Sequence, residues 1–213
     1  HWISSDDPMP DDFSFQLYPD DLDRIEWYIN DAMARVPLLE KANLQKVING
    51  PIPYTPDGNP LIGPMPGVPN AFEASVFTFG ICQAGGAGKV LAEWITEGGT
   101  EWDMWAVDPR RFTGFEDRDY CIAKGMEVYG HEYAMHFPHH EWPAGRDMKR
   151  GPNDARVREL GGQMGAYNGW ERANWYARPG DDTSDAAAQT WRREGPWFNA
   201  VKAEAEAVRD GVG

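Results

Sequence analysis

The sequence predicts a mixed α/β (α+β) fold, and three observations carry that prediction. An apolar stripe at helical spacing runs through Leu22, Ile25, Ile29, Ala32, Met33 and Val36. A strand-like run, Ala71 to Phe79, leads through a glycine-rich stretch into a second helix with one apolar face. From Trp102 to Gly180 the chain is aromatic, interrupted by glycine and proline, and only weakly periodic. Hydrophobic period separates helix from strand, and its loss marks irregular structure.

Taken in order, residues 1–19 are polar and proline-rich and read as an extended loop. Asp20 and Asp21 open the first helix, where carboxylates favour the helix dipole, and Pro37 ends it. Lys46 to Asn49 is a short strand candidate. Gly50-Pro-Ile-Pro-Tyr-Thr-Pro-Asp-Gly-Asn-Pro60 is a rigid turn system in which Gly58 is expected to take positive φ. After the strand at 71–79 comes a bend, Gly80 to Gly88, and then a helix through Glu97. That helix has Val90, Leu91, Trp94 and Ile95 on one face and Gly98-Gly99 as its stop. Short helices are expected near Asp119–Val128 and Asp154–Leu160, an acidic alanine-rich connector at 181–190, and a helix from Ala200 onward. No internal repeat is visible.

Composition bounds the function. A chain of 213 residues can bury roughly 70% of its unfolded surface. With 23 glycines and 17 prolines it should be rich in turns. The net charge of -14 argues against a nucleic-acid partner, because phosphate binding needs a basic face. No apolar run reaches the roughly 20 residues that span a bilayer, and the mean hydropathy is -0.62. Cys82 and Cys121 form no CxxC pair, which suits a reducing compartment.

The strand, glycines and helix at 72–97 form the most chemical feature. A helix N-terminus offers free N–H groups and a positive dipole end to negative charge, and glycines admit a ligand close to the backbone. The glycines at 80, 85, 86 and 88 do not make GxGxxG, and Lys89 followed by Val90 does not make a P-loop. Spacing alone leaves two readings equally open, ligand approach and close helix–sheet packing.

Gly50 to Gly63, with its Thr55-Pro56-Asp57-Gly58 core, resembles a segment of the D-amino-acid-oxidase-like flavoproteins, nearest their dimethylglycine and sarcosine dehydrogenase branch. Gly80-Ile-Cys-Gln-Ala-Gly-Gly-Ala-Gly-Lys-Val-Leu-Ala-Glu-Trp-Ile95 resembles the family pattern that comes next. Asp108-Pro-Arg-Arg-Phe112 and Pro143-Ala-Gly-Arg146 resemble the central domain that follows. Gly169-Trp-Glu-Arg-Ala-Asn-Trp-Tyr176 is similar to the run leading into an aminomethyltransferase-like module, and Trp197-Phe198 and Glu206 to Gly213 to that module's first helix.

The resemblance implies the C-terminal part of a FAD-binding oxidoreductase domain (residues 1–100), a small irregular central domain (101–156) and the opening segment of an aminomethyltransferase-like domain (157–213). It implies FAD contact at Gly80, Ile81, Cys82, Gln83, Ala84, Gly85 and Gly86, with Thr55, Asp57 and Gly58 against the same ring. Some related sarcosine oxidases have a lysine near the position of Cys82, so the amine stays open. The family's catalytic His and Tyr are expected to precede His1. A chain that begins at His1 and stops just past a helix is expected to be an internal fragment.

Other residues have simpler roles. His131, His136, His139 and His140 cluster, but His131 and His136 are five apart, so HExxH fails and a solvated loop is the simpler reading. Glu171 and Arg172 between Trp170 and Trp175 read as an aromatic core with one ion pair. Cys82 reads as a small packing residue beside flavin before it reads as a reactive thiol. Asp6, Asp7, Asp11, Asp12, Asp181 and Asp182 read as solvated loop charge.

The expected function is therefore oxidation of the N-methyl group of a small amino acid by hydride transfer to FAD, with tetrahydrofolate taking the one-carbon unit on another module. An electron-acceptor protein would be a partner. The place is the cytoplasm, or the mitochondrial matrix in a eukaryote. Two alternatives stand beside it: a folate-dependent aminomethyltransferase or demethylase on a degenerate flavin-like scaffold, and a non-catalytic binding module.

Overall fold

The computed structural model describes Pro10 and residues 12–211. Asp6, Asp7, Asp11 and the last two residues of the C-terminal run lie outside the described residues. The chain divides into two compact units, 1–53 and 54–213.

In the first unit, a 3-10 turn at Asp23–Ile25 leads into α1, Glu26–Arg35. Val36 closes the helix by donating to the Ala32 carbonyl, and Pro37 starts a second 3-10 turn, Pro37–Lys41. The predicted stripe is only partly covered: Ile29, Ala32 and Met33 are half-buried, while Leu22, Ile25 and Val36 are exposed. No described residue of this unit is buried. The strand expected at 46–49 does not form. Instead Tyr18 donates its N–H to Asn49 O (2.8 Å), and the Asn49 side chain returns a bond to Pro19 O (2.8 Å). Two bonds tie the segment back without a ladder.

The second unit begins with a hairpin that sequence reading only half located. β1, Leu61–Pro64, pairs antiparallel with β2, Phe72–Ser75, with Ile62 opposite Ala74. β2 is shorter than the predicted 71–79 because Val76 turns to φ 57. The glycine-rich stretch is not a bend. It is the opening of α2, Gly80–Glu97, an 18-residue helix that lies on the β1–β2 ribbon. Ile62, Ala87 and Val90 form its buried core, packed by Phe77, Trp94, Met104 and Val107. Ile95, expected on that face, is exposed. Gly98 ends the helix in the left-handed region at φ 76, with its N–H on Trp94 O.

A 3-10 turn at Pro109–Arg111 follows, and then α3, Arg118–His131, capped by the Asp117 carboxylate on Tyr120 N–H (2.8 Å). The stretch read as irregular contains a three-stranded sheet in the order β3–β5–β4. β3 (Lys149–Arg150) runs parallel to β5 (Trp170–Tyr176), and β4 (Gly162–Tyr167) antiparallel to it, with a bulge at Gln163/Met164. Asn168-Gly169 joins β4 to β5 with φ 48 and 76, the two positive values that a tight primed hairpin turn needs. α4 (Asp154–Glu159) packs on β4 and β5. α5 (Asp185–Ala188) interrupts the acidic connector, and α6 (Phe198–Gly211) seats the buried Ala200.

Candidate functional site

The start of α2 leaves its positive dipole end without a side-chain partner. Phe79 precedes the helix without any side-chain cap, and no acidic residue lies in the first turn. The first bond of the helix runs from Gln83 N–H to Phe79 O (3.1 Å), so the N–H groups of Gly80, Ile81 and Cys82 project from its end. Residues 81–86 are all exposed, Ile81 at 97%.

The glycines of α2 separate the two sequence readings. A Cβ placed at Gly85, Gly86 or Gly88 would meet nothing within 4 Å. The face that packs on the hairpin is made of Ala87 and Val90 instead. Close helix–sheet packing is therefore not what these glycines provide among the described residues. Each exposed helical glycine costs about 1 kcal/mol relative to alanine, a cost that the fold of this unit does not repay. An uncapped helix end beside a Cβ-free face fits a flat group with an electron-rich edge.

The Thr55–Asn59 segment forms the expected turn and is held by its own hydrogen bonds. Thr55 is buried; its hydroxyl donates to Asn59 O (2.7 Å) and lies 2.9 Å from Asp57 Oδ1. Gly58 takes φ 75, and its N–H bonds to Thr55 O (3.1 Å). Asp57 accepts the Asn59 N–H (3.1 Å) and a two-pronged grip from Arg111, Nε to Oδ2 at 2.6 Å and Nη2 to Oδ1 at 2.9 Å. Arg111 is 5% exposed and also donates to Asn59 O and Asp108 O. Both Asp57 oxygens are thus occupied inside the protein. No hydrogen bond or ion pair joins Thr55, Asp57 or Gly58 to residues 80–86 among the described residues.

The other candidates resolve into packing. Glu171 is buried, but its partner is Arg146, through Nε (2.8 Å) and Nη2 (2.5 Å), not the neighbouring Arg172. Hydrogen bonds from that guanidinium hold the Glu171 carboxyl below the usual range. Arg172 lies over the Tyr167 ring instead. His131 closes α3, and its ring and that of His136 both pack on Trp142, each 4.7 Å between centroids. Among the described residues, no group of three or more His, Cys, Asp or Glu could hold a metal ion. Cys82 is exposed. Burial, then Glu116, pushes the Cys121 thiol up.

One feature escaped sequence reading. A cavity of about 390 Å³ lies among Pro56, Arg111, Tyr120, Lys124, Trp142 and Arg146, which come from separate stretches of chain. Its cations are already matched, Arg111 by Asp57, Lys124 by Glu127 and Arg146 by Glu171. No local signal marks a cavity whose walls lie so far apart in sequence.

The sequence profile described as "FAD dependent oxidoreductase" matches residues 3–94, and "FAD dependent oxidoreductase central domain" matches 97–151. The chain is 38% identical over 205 residues to mitochondrial dimethylglycine dehydrogenase of Rattus norvegicus, covering 96% of this chain and 24% of that protein. It is 41% identical over 179 residues to 4-methylaminobutanoate oxidase (formaldehyde-forming) of Paenarthrobacter nicotinovorans, covering 83% of this chain and 21% of that protein. To mitochondrial sarcosine dehydrogenase of Mus musculus it is 36% identical over 171 residues, 79% of this chain and 19% of that one. The chain thus spans about a quarter of the length of the curated relatives it matches. Through these consecutive segments, which carry α2 and the Asp108–Arg111 turn, the chain belongs to the FAD dependent oxidoreductase family with its central domain.

Proposed function

We propose that this chain is part of a flavin-dependent dehydrogenase that oxidises the N-methyl group of a small amino acid, and that α2 presents its N-terminus to FAD. The observation that carries the reading is the uncapped, acid-free start of α2 beside glycines that face open space. The relatives named for dimethylglycine, sarcosine and 4-methylaminobutanoate share one chemistry, an N-methylated amine on a short carboxylic acid.

FAD, when bound, would supply the acceptor for a hydride from an N-methyl carbon, leaving the substrate as an iminium. The N–H groups of Gly80, Ile81 and Cys82 would face the edge that gains negative charge, and they are oriented before any reaction begins. Gly85 and Gly86 would let the ring approach the helix backbone, with Gln83 and Ala84 beside them. Thr55, Asp57 and Gly58 belong to the site through the shape of their turn, since the Asp57 carboxylate is held by Arg111.

The segment assignment we propose is 1–100 for the flavin domain, 101–156 for the central domain and 157–213 for the start of an aminomethyltransferase-like domain. Tetrahydrofolate on that further domain would capture the one-carbon unit, and an electron-acceptor protein would reoxidise the flavin. The mitochondrial relatives support a matrix location in a eukaryote, and the bacterial one a cytoplasmic location. Among the described residues no helix is long and apolar enough to cross a membrane.

The test is anaerobic mixing of the full-length protein with dimethylglycine, sarcosine or 4-methylaminobutanoate. Bleaching of the flavin absorbance by one of them is expected. A purified protein that carries no flavin, or flavin that none of the three amines reduces, would overturn the reading.

A further inference from the structure

The turn that begins the central domain reaches back onto the flavin-side elements at four points. The Val107 carbonyl takes the Ile62 N–H of β1 at 2.8 Å. Pro109 and the Trp94 indole both close on Gly63 of β1: a Cβ there would sit 3.4 Å from each. Asp108, itself buried, holds Arg110 through Nη2 (2.6 Å), and the Arg110 guanidinium lies 5.1 Å from the centre of the Trp94 ring of α2. Arg111 grips Asp57 and Asn59 O in the turn that feeds β1.

Among the described residues, the buried core that the hairpin and α2 share is small: Ile62, Ala87 and Val90. So small a core leaves the attitude of the helix to outside contacts. We propose that Asp108–Arg111 is a positioning clamp: Arg111 fixes the 55–59 turn and Arg110 fixes Trp94, so the central-domain segment aims the N-terminus of α2. The inference rests on the flavin reading above. Its leverage follows from helix geometry. From Trp94 to Gly80 the helix extends roughly 21 Å, so a tilt of about three degrees moves the first turn by about 1 Å. A misplacement of about 1 Å in a reacting geometry can cost up to roughly a hundredfold in rate.

Arg111→Lys keeps the charge and loses the two-pronged grip. Made in the full-length flavoprotein, it should keep its flavin and its cooperative unfolding. The limiting rate of flavin reduction should fall about ten- to a hundredfold, and the flavin midpoint potential should become more negative, because the N–H groups no longer face the reduced ring. The KM for the amine should stay within about twofold, because substrate binding itself is untouched. A folded, flavin-loaded Arg111→Lys protein with unchanged rate and potential overturns the clamp. If Arg111→Lys does not fold, Arg110→Gln, at a half-exposed side chain, is read in the same way; a lower rate and potential support the clamp and unchanged values overturn it. The parent protein distinguishes the two failures: without flavin or reduction there, the flavin reading falls and the clamp falls with it.

Discussion

Replacing Glu171 by Gln should loosen the β3–β5–β4 sheet by an amount that the structure sets. The Glu171 side chain is fully buried and accepts three N–H groups, two from Arg146 and one from Asp147 N–H (2.8 Å). Arg158 adds a second guanidinium at 3.6 Å. Arg146 in turn reaches Met164 O of β4 at 3.0 Å, so this one carboxylate joins the 146–147 loop to two strands. Gln removes the charge and turns an amide toward one of the Arg146 donors. Breaking a buried pair on one side costs about 3–5 kcal/mol. The Arg146 side chain is 24% exposed, and water there offsets part of the loss. The expected cost is about 2–3 kcal/mol.

Hydrogen exchange reads that cost locally. Amide protection across β4 and β5 should fall about 30- to 150-fold at pH 7. The pH dependence carries a sign that a packing defect would not. Arg146 holds the Glu171 carboxyl low, so its stabilisation is present above the ordinary carboxyl range and is lost as pH falls through the lowered folded value. The gap between parent and variant should therefore be full at pH 7 and close on acidification below about pH 4. Protection unchanged at pH 7, or a gap that persists unaltered in acid, would refute the reasoning.

Three further outcomes are expected. Gly85→Ala should stabilise this chain by about 1 kcal/mol, since the new methyl meets open space, yet weaken flavin retention in the full-length protein; unchanged flavin retention would count against the proposed contact. Gly58→Ala should lower the urea midpoint, costing about 1–3 kcal/mol, because φ is 75 and the new Cβ would sit 2.7 Å from Val128 Cγ1; an unaltered midpoint would contradict that geometry. Tyr120 has its hydroxyl pKa pushed up to about 12, by burial first and Glu116 second, so phenolate absorbance at that residue should stay flat through pH 10; a rise there would show it is solvated.

The physical reasons for the limits of sequence reading lie in particular residues. Local signals worked where local forces decide. Pro37 ended the first helix, Gly98 stopped α2 in the left-handed region, and Gly58 took its positive φ. Beside them, the Asn168-Gly169 pair is also a local hairpin signal, yet the strands it joins alternate glycine and aromatic residues too unevenly to announce themselves. The segment at 46–49 had strand-like residues but found no ladder among the described residues; Asn49 bonds to Tyr18 and Pro19 instead.

What the sequence by itself determined is the family and the longer helices, because each is written in contiguous residues; that Gly80 to Gly88 is the opening of α2 and not a bend was decided by the structure. What only the tertiary structure decided is who pairs with whom. Arg111 is 54 positions from Asp57, and Arg146 is 25 from Glu171. A buried charge must be matched wherever the fold brings an opposite one, and chain distance carries no record of that choice. The sequence offered Arg172 as the nearest partner for Glu171, but alternation along β5 sends neighbouring side chains to opposite faces, and Arg146, with Arg158 behind it, reaches the carboxylate instead.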